Sequence, residues 1–172
     1  MKFPRFLPVA ACTCLFLGCG SESPPANPKP QPTVEEDHGH EHERGKMMLA
    51  DVSKYHAGLT AHLSSKEGNE LDVFFETQDK DPKPVAVPLE KFTARVSRDG
   101  DDKIHELTFE PAPASERPKD EKAGTCSHFV AKAPWMKPED VLVVSAEVEL
   151  DGKKRTMRWK NFNPKKFAHH IE

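Results

Sequence analysis

The chain has 172 residues, with 25 Lys and Arg against 28 Asp and Glu and a formal charge of −3. That length fits one domain, and the slightly acidic balance argues against a nucleic-acid partner, which would call for a basic patch. Charged residues make up 31% and hydrophobic ones 36%, so a wholly disordered chain is excluded and one packed core is within reach.

The N-terminus reads as a leader. Lys2 and Arg5 precede an apolar run from Leu7 to Leu17, which Gly18-Cys19-Gly20-Ser21 ends. A charged start, an apolar middle and a small residue before the cut are the layout of a secretory signal. A membrane span would need about 20 apolar residues, and Pro4 and Pro8 interrupt the start of this run. Leu15-Phe16-Leu17-Gly18-Cys19 resembles the lipobox of bacterial lipoproteins. The resemblance implies that residues 1–18 are removed, that Cys19 is acylated, and that the mature chain faces the periplasm or the cell surface from a membrane. Lipoproteins kept in the inner membrane often carry Asp after that cysteine, so Gly20 favours the outer membrane. Removal of the leader takes Lys2 and Arg5 and no acid, which moves the charge from −3 to −5. It also removes Cys12 and Cys14, leaving Cys126 as the one cysteine outside the lipidation site. No disulfide framework follows, despite an oxidising compartment.

Residues 19–45 read as a tether. Pro24, Pro25, Pro28, Pro30 and Pro32 favour an extended, semi-rigid spacer. Glu35 to Glu43 then places His38, His40 and His42 at alternate positions among carboxylates that include Asp37 and Glu41. Imidazole suits zinc, copper and nickel, and Gly39 lets neighbouring rings converge. The tract predicts binding of zinc or copper by His38, His40 and His42, with Asp37 and Glu41 assisting. The other reading of the same residues is a solvated acidic linker.

From Lys46 the apolar residues recur with period two, the mark of strands. Tyr55 to Leu63, Leu71 to Thr77, Phe92 to Ser97, Lys103 to Glu110, Cys126 to Ala133, Val141 to Leu150 and the segment around Arg155, Met157 and Trp159 read as strands. Lys66-Glu67-Gly68-Asn69, Asp99-Gly100 and Asp151-Gly152 read as turns. Pro111 to Gly124 is a long polar loop, and Pro134 to Asp140 one helical turn with Trp135 over an open end of the core. The expected fold is all-β: a single antiparallel β-sandwich of seven to eight strands with immunoglobulin-like architecture, over residues 46–162. Residues 163–172 are expected to be an exposed polar tail.

Further candidates lie on these strands. Cys126 and His128, at i and i+2, would share a strand face and could ligate copper or zinc; a buried, inert cysteine is the competing reading. His56 and His62 share a face but lie about 20 Å apart along a strand, too far for one ion, and read as solvent-facing. His105 falls in register with Leu107 and Phe109 and reads as partly buried. His169-His170 reads either as a terminal metal pair or as a frayed end. Met47 and Met48 point to opposite faces, which suits packing of one of them in the core. The chain lacks Gly-x-Ser-x-Gly, a phosphate loop, a dinucleotide glycine pattern and His-Glu-x-x-His. It therefore reads as a non-enzyme.

The His-Gly-His tract ahead of a β domain, with Lys54-Tyr55-His56 on an early strand, resembles small planctomycete-type lipoproteins of unknown function. It is also similar to His-rich segments of heavy-metal efflux adaptors. Where the first group carries His-Gly-Gly, this chain has Glu43-Arg44-Gly45-Lys46. Two functions follow as expectations: a membrane-anchored lipoprotein that binds or buffers divalent metal ions, or a non-catalytic interaction or structural module of the cell envelope that docks a protein partner.

Overall fold

A computed structural model describes residues 44–171. The leader, Cys19, the spacer and the acidic tract with Asp37, His38, His40, Glu41 and His42 lie outside the described residues. Among the described residues one short 3-10 turn precedes nine strands and a second lies between β5 and β6: β1 (Met48–Val52), β2 (Tyr55–Leu63), β3 (Glu70–Thr77), β4 (Phe92–Arg98), β5 (Ile104–Pro111), β6 (His128–Lys132), β7 (Leu142–Leu150), β8 (Lys153–Phe162) and β9 (Ala168–Ile171). Among the described residues no helix is long and apolar enough to cross a membrane.

The strands form an all-β sandwich bordering on a closed barrel. Their order is β1-β2-β3-β6-β5-β4-β7-β8, antiparallel throughout, with β9 added in parallel to β2. Two halves face each other. β1, β2, β3 and β6 make one; β5, β4, β7 and β8 make the other. They join through only two residue pairs, Glu110 with Val130 and Pro111 with Phe129. On the far side β1 packs against β8. There the Trp159 indole N–H donates to the Ala57 carbonyl at 3.1 Å, and Lys54 meets Asp151 at 3.4 Å. Closure of this kind leaves few bare strand edges.

The period-two pattern accounts for the core. Ala57, Leu59, Ala61 and Leu63 of β2 point inward with Leu71, Val73 and Phe75 of β3, and meet Ala94, Val96, Val144, Ala146 and Met157 of the opposite half. Phe92 stacks on Phe109 at 4.9 Å and meets Phe129 edge-on, contacts worth about 1 kcal/mol each beyond burial. The Asp151-Gly152 turn has φ of 53° and 68°, the two left-handed residues that a twisted two-residue hairpin demands.

Three expectations are corrected. Residues 163–172 are not an exposed tail: Phe167 and Ala168 are buried, and Phe167 stacks on Phe162 at 5.4 Å before β9 pairs with β2. The Asn163-Pro164 turn makes this return, with Lys166 N–H donating to Asn163 Oδ1. Pro134 to Asp140 forms two tight turns rather than a helical one, closed by Met136 N to Ala133 O and Asp140 N to Lys137 O. His56 and His62 are half-buried and paired with carboxylates rather than solvent-facing.

Candidate functional site

The outer face of the β2-β3-β6 half carries most of the polar chemistry. Antiparallel register sets it out in rows: His62 beside Glu70 beside Lys132, Thr60 beside Asp72 beside Val130, and Gly58 beside Phe74 beside His128. The lack of a side chain at Gly58 makes room for Met47, whose sulfur would stand 2.9 Å from a Cβ there. Met48 packs against the core from the other side.

One end of this face is covered by β9. Between Ala61 and His62 the β2–β9 register shifts, so that Ala61 pairs with Ala168 but His62 with His170. His169 is the extra residue. A bulge re-aims side chains that would otherwise alternate, and here it brings both terminal imidazoles to His62. The ring centres of His62 and His170 are 5.0 Å apart, and those of His62 and His169 are 5.6 Å apart. His62 Nδ1 lies 3.3 Å from Glu70 Oε1, whose other oxygen accepts from Lys132 Nζ at 2.7 Å. That hydrogen bond from Lys132 holds its ammonium above the usual lysine range. His169 Nδ1 lies 2.8 Å from the Thr60 hydroxyl. A carboxylate only accepts, so the contact with Glu70 puts a proton on His62 Nδ1. The His62 Nε2 is buried with no hydrogen-bond partner among the described residues.

The other end is covered by the loop between β5 and β6. His128 is buried, with Nε2 2.9 Å from Asp72 Oδ1, Nδ1 3.4 Å from the Glu116 carbonyl, and its ring stacked on Phe74 at 4.0 Å. Glu121 pins the loop: it accepts from the Ser127 N–H at 2.8 Å, from the Ser127 hydroxyl, and from Arg117 Nη1 at 3.0 Å. The Ser127 hydroxyl is thus directed to Glu121 rather than to the neighbouring His128.

Cys126 and His128 do not form the expected ligand pair. Cys126 precedes β6, sits in an isolated bridge with Val87, and belongs to the core; its thiol donates to the His128 carbonyl, while the His128 ring turns to Asp72. The strand begins only at His128, so alternation does not run through the pair. Burial pushes the Cys126 thiol above its usual value. His105, as expected, is partly covered and stacks on Trp135 at 3.8 Å; burial lowers its pKa, with Lys103 and Arg98 adding to the effect.

Among the described residues no group of three His, Cys, Asp or Glu side chains is arranged to hold a metal ion. The nearest approach to a site is the His62, His169 and His170 group. The signal for it in the sequence is Phe167-Ala168 and Ile171, apolar residues after an Asn-Pro turn that mark a returning strand. Comparison with models of protein families, with curated proteins and with solved structures gives no match to this chain.

Proposed function

We infer that the protein is a lipid-anchored, extracytoplasmic lipoprotein that takes up divalent metal ions, zinc or copper, through the tract containing Asp37, His38, His40, Glu41 and His42. The observation that carries this reading is the pattern itself: three imidazoles alternate with carboxylates in a segment that has nothing apolar to bury, between a Pro-rich spacer and a folded domain. Imidazole and carboxylate together suit borderline divalent ions. The spacer after Cys19 lifts tract and domain off the bilayer. Two acyl chains on Cys19 would give stable anchoring, since each buried methylene contributes about 0.8 kcal/mol. Calorimetric titration with zinc chloride tests the reading: the intact chain binds, and a chain lacking residues 35–43 loses those sites. Equal binding by both chains refutes it. Cys19→Ala is expected to move the protein from the membrane to the soluble fraction.

A second reading, an interaction module, is favoured by the pinned β5–β6 loop. A long polar loop held by Glu121, Arg117 and the His128 contact offers a defined surface rather than a wandering one. It predicts a protein partner recovered equally with and without a chelator.

A further inference from the structure

We propose that the folded domain carries a metal site of its own, at the end of β2, where His62, His169 and His170 take one zinc or copper(II) ion. The site is separate from the acidic tract and does not depend on it.

Four observations converge. Two imidazoles bound to one tetrahedral zinc at about 2.0–2.1 Å hold their ring centres roughly 5 Å apart. The His62–His170 and His62–His169 separations are 5.0 and 5.6 Å, already at that spacing. Next, ligating histidines characteristically fix their second nitrogen on a carboxylate, carbonyl or hydroxyl, which orients the ring and raises its basicity. His62 does so through Glu70, and His169 through Thr60. Then, His62 Nε2 is buried without a hydrogen-bond partner among the described residues. A buried nitrogen in that condition costs about 1–3 kcal/mol, which a metal ion would offset. Finally, the register shift between Ala61 and His62 places His169 and His170 together beside His62, as a bulge that re-aims side chains does.

The three rings do not yet point at a common centre. His170 is exposed on β9, so turning its ring toward His62 and His169 on metal binding completes the set. Glu70 remains the partner of Lys132 and of His62, a positioning carboxylate rather than a ligand. Three protein nitrogens leave a fourth tetrahedral position for water, an arrangement suited to exchange with the tract or with a partner rather than to permanent storage.

The test uses the full chain in detergent with His38→Ala, His40→Ala and His42→Ala, so that the tract is silent. Titration with zinc chloride, and with cobalt(II) followed by its visible absorption, is expected to show about one tetrahedral ion per chain. Adding His170→Ala, an exposed change that leaves the core intact, should weaken binding at least tenfold. Glu70→Gln should weaken it about 10-fold to 100-fold, because the carboxylate that orients the His62 ring is lost. His56→Ala, on the same strand but paired with Asp51, should leave it unchanged. Loss of all binding in the tract-silent chain overturns the proposal while leaving the tract reading intact. So does equal affinity with and without His170→Ala in a chain whose folding is verified by circular dichroism. Undiminished stoichiometry in the tract-silent chain instead removes the tract reading and leaves this one standing.

Discussion

Two histidines on one sheet face, His128 and His62, are used in opposite ways. Each lies beside a carboxylate, Asp72 for the first and Glu70 for the second. Each is covered by a segment distant in sequence. His128 is sealed: both ring nitrogens face acceptors and Phe74 stacks against it. His62 keeps one nitrogen idle and meets two further imidazoles. The difference lies in the covers. The β5–β6 loop brings backbone carbonyls and a glutamate, which complete hydrogen bonds. β9 brings His169, held by the Thr60 hydroxyl, and His170, and leaves His62 Nε2 without a hydrogen bond among the described residues. The same pairing of histidine with carboxylate serves stability at one end and leaves a donor for a ligand at the other.

The contrast can be broken from either end. The largest effect is expected at the second cover itself. Phe167→Ala removes the stacking partner of Phe162 and should destabilise by about 3 kcal/mol, read as a shift in urea midpoint, and should weaken zinc binding as β9 loosens. Asp72→Ala strands the buried His128 and should cost about 2 kcal/mol in the same assay without changing metal affinity. Glu70→Ala should do the reverse: about 1 kcal/mol or less of stability, since Lys132 is largely exposed, but a marked loss of zinc affinity. If Asp72→Ala and Glu70→Ala prove equal in both assays, the two ends are alike and the contrast fails.

Two smaller effects sharpen it. Cys126 sits behind the sealed end with its thiol pushed up by burial. Reaction with a disulfide reagent at neutral pH should therefore be slow in the folded chain and rapid in denaturant. His105, near Lys103, Arg98 and Asp101 and against Trp135, has its pKa lowered in the fold. The unfolded chain then binds more protons just below pH 6.5, so this residue's contribution is complete above that pH and is lost as pH falls through it. His105→Gln should flatten that part of the stability curve relative to the parent chain.

Much of the sandwich was legible from alternation. Phe92 to Val96 and Leu142 to Leu150 alternate cleanly because one side of each strand meets the core, whereas Ala57 to Leu63 is buried at every position but His62. Asp151-Gly152 identified its hairpin because left-handed backbone at two successive positions admits few residue pairs. The histidine group was not legible. Its members come from β2 and β9, more than 100 residues apart in sequence, and a bulge rather than a repeat brings them together. The Cys126–His128 pair misled because period-two logic presumes an unbroken strand, and here the strand starts at His128, two residues too late to carry Cys126.

The parallel pairing of β9 with β2 has a consequence for how the chain is made. In chain order β1, β2 and β3 come early, and these can form a meander at once. The side of β2 beyond Ala61 must wait for Phe167 to Ile171, more than 100 residues further along the chain. Long-range pairings of this kind are late and slow steps. The domain therefore stays open at one end until β9 is made, and a stop codon near residue 166 would trap it there.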